Sequence, residues 1–170
     1  QLSHLSWLWN TMYKPVERKY IEKADAVTAI SEDLFYGTSY PSSKIHTIYN
    51  GYEPIDHEID ALPHNDKFSI CYTGMVYGQR ALALEPLFKV LSTLVRKNQI
   101  DIKKLSFEYA GSSGEEVDKM ASKYGLESIV NHHGYLLPKE VLQLQLQSDI
   151  FLVLSWNHQN ERGILTGKLI

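Results

Sequence analysis

From residue 67 onwards the sequence alternates short apolar strands with longer amphipathic helices, and a loop separates each strand from the helix that follows. The strands are predicted at 68–73, 105–110, 128–134 and 149–155, and the helices at roughly 82–97, 114–124 and 138–147. A fourth helix begins where the chain ends. This alternation predicts an α/β fold with a parallel sheet, helices on both faces, and all four strand-to-helix loops at one sheet edge.

A shorter α/β segment precedes this pattern. Residues 2–24 space their apolar side chains as a helix does, and Pro15 is predicted to kink or split that helix. Apolar strands are predicted at 24–31 and 44–54, and Ser31 has the features of a helix N-cap because acidic residues follow it. We interpret this segment as the tail of a preceding α/β domain.

Prolines and acidic residues at 52–66 predict a linker. The predicted organisation is therefore the end of one domain at 1–51, the linker, and a second domain at 67–170. The sequence begins with Gln1 rather than Met and ends in the first turn of a helix. We therefore expect a piece of a longer protein, in which the second domain is truncated.

Composition narrows the partners. The net charge of −3 provides no broad basic surface, so nucleic acid is not an expected partner. No stretch approaches the roughly 18 apolar residues of a membrane span. The one cysteine, Cys71, fits a reducing compartment, and its apolar surroundings predict an inert buried thiol.

The strand-to-helix loops are rich in glycine and should converge where open α/β sheets bind ligands. Glycine allows backbone amides to approach a ligand, and the following helix starts favour an anion such as phosphate. The alternative is that the glycines only form tight turns. No Walker loop or GxGxxG fingerprint is present, which weakens ATPase and NAD-binding readings. The four loops are Gly74–Gln79 with Arg80, Gly111–Gly114, Gly134–Pro138, and Ser155–Gly167 with Lys168.

Two histidines end the third strand of this domain. Adjacent strand residues point to opposite faces, so His132 and His133 are not expected to share a metal ion and are interpreted as surface or packing residues. In the last loop, Glu161 and Arg162 form no more than a solvated ion pair by local sequence alone.

Seven segments taken in order resemble the glycosyltransferase group 1 (GT4-like) family over nearly the whole chain. They are ADAVTAIS, KIHTIYNGYEP, FSICYTGMVYGQR, FEYAGSS, VNHHGYLLPKEV, SDIFLVLS and ERGILTGKL. The resemblance is closest to bacterial surface-polysaccharide transferases. It implies the GT-B architecture, in which two Rossmann-like domains face each other across a cleft, and it makes 67–170 most of the nucleotide-sugar domain.

The resemblance also implies roles for individual residues. Glu161 is the candidate catalytic residue near the transferred sugar, and a ribose-binding glutamate would fall just past Ile170. Gly74 and Arg80 would contact the donor diphosphate, and the backbone around Gly134 and Tyr135 would meet the base. The expected nucleotide-sugar-binding residues are Gly74, Arg80, Gly111, Gly134, Tyr135, Ser155, Thr166, Gly167 and Lys168.

The expected function of the whole protein is sugar transfer from a nucleoside-diphosphate sugar to a glycan or lipid-linked acceptor in bacterial capsule or lipopolysaccharide biosynthesis. The resemblance implies a hexosyltransferase that needs no metal or other cofactor, and we expect this piece to be inactive alone. We expect it in the cytoplasm, with peripheral association of the full-length protein at the inner face of the plasma membrane.

Three alternatives stay open. A nucleotide-sugar 2-epimerase or a phosphorylase shares the architecture, although the acids and histidines that such an epimerase needs are sparse here. A non-catalytic nucleotide-sugar-binding module would keep the fold without turnover. A flavodoxin-like receiver domain is the most distant, because no acidic phosphorylation pocket is evident in the sequence.

Overall fold

The computed structural model describes residues 3–31, 34, 40–51 and 66–154, with the backbone alone for residues 3–10, 79 and 80. The described residues belong to two compact units. Along the chain, the division between them falls between residues 54 and 55, and each unit is described by itself below. The predicted linker at 52–66 and the predicted helix after Ser31 fall almost wholly outside the described residues, so both stay predictions.

The first unit contains one long helix and two short strands. Helix α1 spans Ser3–Lys23, and strands β1 (Val27–Ala29) and β2 (Ile45–Thr47) pair in parallel. Of the two outcomes predicted for Pro15, a kink or a split, the split is not observed, because α1 continues through the proline as one helix. A proline removes one backbone hydrogen bond, and the turns on either side retain theirs.

Lys44 fastens the end of α1 to the segment that leads into β2. Its Nζ donates to the carbonyl oxygens of Glu22 at 2.9 Å and Ala24 at 2.8 Å. Carbonyl groups at a helix C-terminus lack partners within the helix and carry partial negative charge, so an ammonium group is a favourable cap. This contact ties together residues that lie about twenty positions apart in the sequence.

The second unit is the predicted α/β domain. Its elements are β3 (Phe68–Thr73), α2 (Gln79–Arg96), β4 (Leu105–Ala110), α3 (Gly114–Tyr124), β5 (Val130–Gly134), α4 (Pro138–Leu146) and β6 (Ile150–Phe151). All strand pairs are parallel, and the strands lie in the order β5-β4-β3-β6. The predicted α/β fold with a parallel sheet is therefore confirmed.

Most boundaries agree with the predictions, and three differences have local causes. Helix α2 begins at Gln79 rather than near residue 82, because Gly78 takes a positive φ of 51° and turns the chain directly into the helix. Strand β5 begins at Val130 because a 3₁₀ turn occupies Glu127–Ile129. Strand β6 is shorter than predicted, and Asp149 holds its start by accepting from the Ser69 amide at 2.7 Å.

Helices cover both faces of this sheet, as predicted. On one face, Tyr72 and Phe107 belong to the larger core, which also contains Phe88 of α2 and Val117 of α3. On the other face, Cys71 and Ala110 pack with Leu144 of α4. Alternating strand residues thus feed two separate cores. The Cys71 side chain is fully buried, which confirms the buried position predicted for this thiol.

Polar contacts lock α2 against α3 beside the larger core. The Glu85 carboxylate accepts from the Tyr124 hydroxyl at 2.7 Å and pairs with Lys123. The Ser92 hydroxyl donates to the Tyr124 carbonyl oxygen at 2.8 Å.

Among the described parts of the chain, no helix combines the length and the apolar character needed to cross a bilayer.

We expect Phe88→Ala to lower the free energy of unfolding by about 3–5 kcal/mol, because a fully buried ring would leave a cavity. The Phe88 ring meets Phe107 edge-on, with centroids 5.1 Å apart. Urea unfolding followed by fluorescence measures the change. Val90→Ala is the matched control on the exposed side of α2, where the expected change is within about 0.5 kcal/mol. Equal losses in the two variants would contradict the assigned core.

Candidate functional site

Three of the predicted binding glycines lie side by side at the carboxyl edge of the sheet. The Gly74 amide donates to the Ala110 carbonyl oxygen at 2.7 Å, and the Gly111 amide donates to the Gly134 carbonyl oxygen at 2.8 Å. These bonds continue the strand ladder just beyond β3 and β4. We call Gly74, Gly111 and Gly134 the glycine row. It brings the first three strand-to-helix loops to one edge of the sheet, as the sequence predicts.

The glycine row differs from the expectation of exposed amides in one respect. The amides of Gly74 and Gly111 are already donors within the sheet, so they are not free to bind a ligand. At Gly111 the absent side chain serves another purpose. A Cβ there would lie 2.3 Å from the Gly74 carbonyl oxygen, and its φ of +154° also favours glycine. Glycine at this position lets two strand ends approach each other.

The Tyr109 hydroxyl supports the second loop from the buried side of the sheet. It donates to the Ser112 carbonyl oxygen. Burial raises the pKa of the Tyr109 phenol, the neighbouring Tyr72 adds to the rise, and the Val76 amide opposes it. Tyr72 stacks on Tyr109 with ring centroids 6.2 Å apart, and its hydroxyl donates to the Met75 carbonyl oxygen at 3.2 Å. The two buried tyrosines therefore hold both loops from beneath.

An open crevice of about 710 Å³ lies between these two loops. One wall comes from the residues that lead into α2, and the other comes from the first turn of α3. Its lining residues are Val76, Tyr77, Gly78, Ser113, Gly114, Glu115 and Glu116.

The two helix starts beside the crevice differ in charge. The first turn of α3 contains Glu115 and Glu116, whose carboxylates already complement the positive end of that helix. The first turn of α2 contains no acid and includes Arg80. These carboxylates repel a further anion at the start of α3, whereas the start of α2 favours an anion. Of the two helix starts beside the crevice, the start of α2 is therefore the more favourable one for an anion.

The third loop presents an exposed aromatic ring. Gly134 takes a φ of 66°, and the Tyr135 residue that follows is 88% exposed. Leu137 then begins the approach to α4, and its amide donates to the Glu140 carboxylate at 2.7 Å. A flat aromatic face open to solvent can stack on a base or a sugar ring.

The side chains of the consecutive histidines lie on opposite faces of the sheet, as predicted. His132 Nε2 lies 2.6 Å from the Asp118 carboxylate on α3, whereas His133 Nε2 lies 2.7 Å from the Glu108 carboxylate. The described ranges contain no cluster of three or more His, Cys, Asp or Glu residues suited to a metal ion.

Glu108 is a buried carboxylate that the sequence reasoning missed. It accepts from the Ser106 hydroxyl at 2.7 Å and the Asn131 side-chain amide at 2.9 Å, in addition to its contact with His133. Burial alone raises the pKa of Glu108, but the hydrogen bonds from His133, Ser106 and Asn131 outweigh it and the net pKa is lowered. The carboxylate is therefore ionised at neutral pH. The available signal was an acid inside the otherwise apolar strand LSFEYA.

Several predicted site residues fall outside the described part of the chain. The structure describes the backbone of Arg80 as the second residue of α2, and nothing of its side chain. The remaining predicted residues lie outside the described ranges, and they are Ser155, Glu161, Thr166, Gly167 and Lys168.

Solved structures similar to this chain have the GT-B fold. A variant of S. aureus TarM, in complex with fondaparinux, α-GlcNAc-glycerol and UDP, is 18% identical with a TM-score of 0.56 over 79% of this chain and 27% of TarM. A second TarM structure gives a TM-score of 0.55 at 18% identity, over 79% of this chain and 26% of that one. The apo form of WaaB, a lipopolysaccharide outer core galactosyltransferase, is 20% identical with a TM-score of 0.50, over 74% of this chain and 35% of WaaB.

These similarities define the class of fold, which is α/β of the GT-B glycosyltransferase type, as predicted. The chain spans between 26% and 35% of the length of these proteins. No protein-family model matches the sequence, and no curated protein matches it significantly. At identities of 20% or less, the similarity concerns the fold alone.

We expect Gly111→Ala to lower the free energy of unfolding by about 1–3 kcal/mol beyond the cost of backbone strain, because its Cβ overlaps the Gly74 backbone. Gly125→Ala is the matched control, since its φ is +66° and nothing lies within 4 Å of the added Cβ. That control should lose only about 1–2 kcal/mol from strain. Thermal unfolding of both variants measures the difference, and a smaller loss for Gly111→Ala would contradict the close approach.

We expect Tyr109→Phe to lower the free energy of unfolding by about 1–3 kcal/mol, because the Ser112 carbonyl group loses its buried hydrogen-bond donor. The change keeps the ring and its stacking on Tyr72. Urea unfolding provides the measurement. Tyr135→Phe is the control at an exposed ring and should change stability by less than about 0.5 kcal/mol. An unchanged free energy of unfolding in Tyr109→Phe would rule out a stabilising role for the hydrogen bond from Tyr109 to Ser112.

Proposed function

We propose that this chain contributes most of the donor-binding domain of a glycosyltransferase, and that the whole protein transfers a sugar from a nucleoside-diphosphate sugar to a glycan or lipid-linked acceptor. The observation that carries the proposal is the start of α2. It lies at the carboxyl edge of the sheet, beside the crevice, with Arg80 and without acids in its first turn. The GT-B fold supports the same reading.

The proposed chemistry centres on the leaving diphosphate. Its developing negative charge is the main electrostatic barrier, and fixed positive groups lower that barrier. Arg80, Lys168 and the amino end of α2 supply this stabilisation, and no metal is required. We propose Glu161 as the catalytic residue near the transferred sugar.

The other proposed contacts with the nucleotide sugar lie in the strand-to-helix loops. The segment Gly134–Tyr135 meets the nucleotide base, and the exposed Tyr135 ring supports this assignment. Gly74 and Gly111 form the floor of the proposed donor site, because their amides are hydrogen-bonded within the sheet. Ser155, Thr166 and Gly167 complete the proposed site around sugar and phosphate.

We further propose a GT4-like hexosyltransferase of bacterial surface-polysaccharide biosynthesis, in the cytoplasm and associated peripherally with the inner membrane face. Support comes from the similarity to WaaB, a lipopolysaccharide outer core galactosyltransferase, and to TarM in its complex with UDP. A 2-epimerase would instead isomerise a nucleotide sugar without an acceptor. Chromatography of nucleotide sugars incubated with the full-length protein, with and without acceptor glycans, separates these activities.

The direct test is a thermal-shift screen of the 170-residue chain against UDP, GDP, ADP and dTDP. Binding by the folded state alone raises the unfolding temperature. We expect one nucleoside diphosphate to do so, and Arg80→Ala should then weaken its affinity by about 1–3 kcal/mol, or about 5- to 150-fold. Calorimetric titration measures the dissociation constant.

Arg96→Ala is the matched control, because Arg96 lies in the last turn of the same helix. It should leave the affinity unchanged. Equal dissociation constants for wild type and Arg80→Ala would remove Arg80 from the diphosphate site. Failure of all four nucleotides to raise the unfolding temperature would reject donor binding by this chain.

A further inference from the structure

A β-bulge interrupts the pairing of β5 with β4 immediately before the third loop. Glu108 pairs with Asn131, and Tyr109 pairs with His132, but Ala110 pairs with Gly134. His133 therefore has no opposite residue on β4. A bulge of this kind adds one residue to one strand and commonly lies where a strand end must be re-aimed.

The bulge determines which residue completes the glycine row. Because His133 is extra, Gly134 lies opposite Ala110, and its carbonyl oxygen accepts from the Gly111 amide at 2.8 Å. Without the bulge, His133 would occupy that place, and Gly134 and Tyr135 would each lie one residue further along. A shift of one residue in a strand also exchanges its two faces.

One carboxylate spans the bulge. Glu108 accepts from Asn131, which lies before the bulge, and contacts the bulged His133 itself at 2.7 Å. The Glu108 side chain is only 8% exposed, and all its hydrogen-bond partners named above lie on β4 and β5. A buried carboxylate costs several kcal/mol of desolvation, and the best-attested use of such a group is to specify register.

The contact on the opposite face is weaker. His132 lies 2.6 Å from Asp118, but the Asp118 side chain is 63% exposed and solvent screens the pair. The Tyr109 ring packs edge-on against His132 with centroids 5.5 Å apart, and this contact acts one residue before the bulge. Of these two side-chain contacts, the one between Glu108 and His133 is therefore the stronger restraint on the bulge.

We infer that Glu108 is a positioning residue, which holds the bulge at His133 and thereby sets Gly134 and Tyr135 in place for the nucleotide. This inference rests on the proposed function, because that function assigns Gly134 and Tyr135 to the base. Glu108 itself does not touch the ligand. It acts through the strand end that does.

The test is Glu108→Gln in the 170-residue chain, which keeps the size of the side chain and removes its charge. The first readout is the ¹H–¹⁵N spectrum, in which the Gly111 and Gly134 amide signals should move, with faster hydrogen exchange at Gly111. The second readout is UDP affinity, which should fall by about 2- to 30-fold, as expected for a residue that acts through a contact network.

Glu85→Gln is the matched control, because Glu85 also has two side-chain partners, Lys123 and Tyr124. It lies on α2, and both of these partners lie on α3. It should lower stability without moving the Gly111 and Gly134 signals and without changing UDP affinity. A general loss of stability would affect both variants alike. Changes in the glycine signals and in UDP affinity that occur in Glu108→Gln alone would therefore indicate a positioning role.

Each outcome bears on a separate claim. If wild type binds UDP and Glu108→Gln matches Glu85→Gln in both readouts, the positioning role is overturned and the donor site stands. If wild type binds none of the four nucleoside diphosphates, the proposed function fails, and the Gly111 and Gly134 signals alone decide whether Glu108 holds the bulge. Should Glu108→Gln not fold, His133→Ala must move the Gly134 signal in its place, and an unmoved signal would overturn the inference.

Discussion

The close approach of backbone at the carboxyl edge of the sheet is the constraint on which the rest of the site depends. Gly111 has no side chain where a Cβ would meet the Gly74 carbonyl group at 2.3 Å, and its amide reaches the Gly134 carbonyl oxygen. The two hydrogen bonds of the glycine row bring three loops together. The helix starts, the crevice and the exposed Tyr135 ring all take their positions from that row.

Two buried polar groups hold this edge in shape. The Tyr109 hydroxyl donates to Ser112 in the second loop, and the Glu108 carboxylate accepts from Asn131 and contacts His133 on the strand that leads to the third loop. Both lie on β4, and they point to opposite faces because neighbouring strand residues alternate. Exposed pairs such as Lys119–Glu116 contribute little by comparison, since water screens them.

Much of the fold and part of the site could be predicted from the sequence. Strands β3 and β4 and helix α3 begin and end as expected, because apolar period and glycine placement are local signals. The meeting of Gly74, Gly111 and Gly134 followed from the handedness of parallel crossovers. The sequence did not indicate that the amides of Gly74 and Gly111 are themselves donors within the sheet. Nothing local distinguishes a donor used in a ladder from one left open.

The sequence by itself determined the alternation of strands and helices and the edge at which the loops converge. These depend on side-chain type and spacing along the chain. Only the tertiary structure decided the bulge at His133, the partners of Glu108 and the hydrogen bond from Tyr109 to Ser112. Each of these joins residues from different strands or loops, so register and packing decide them, and neither is encoded within a single segment.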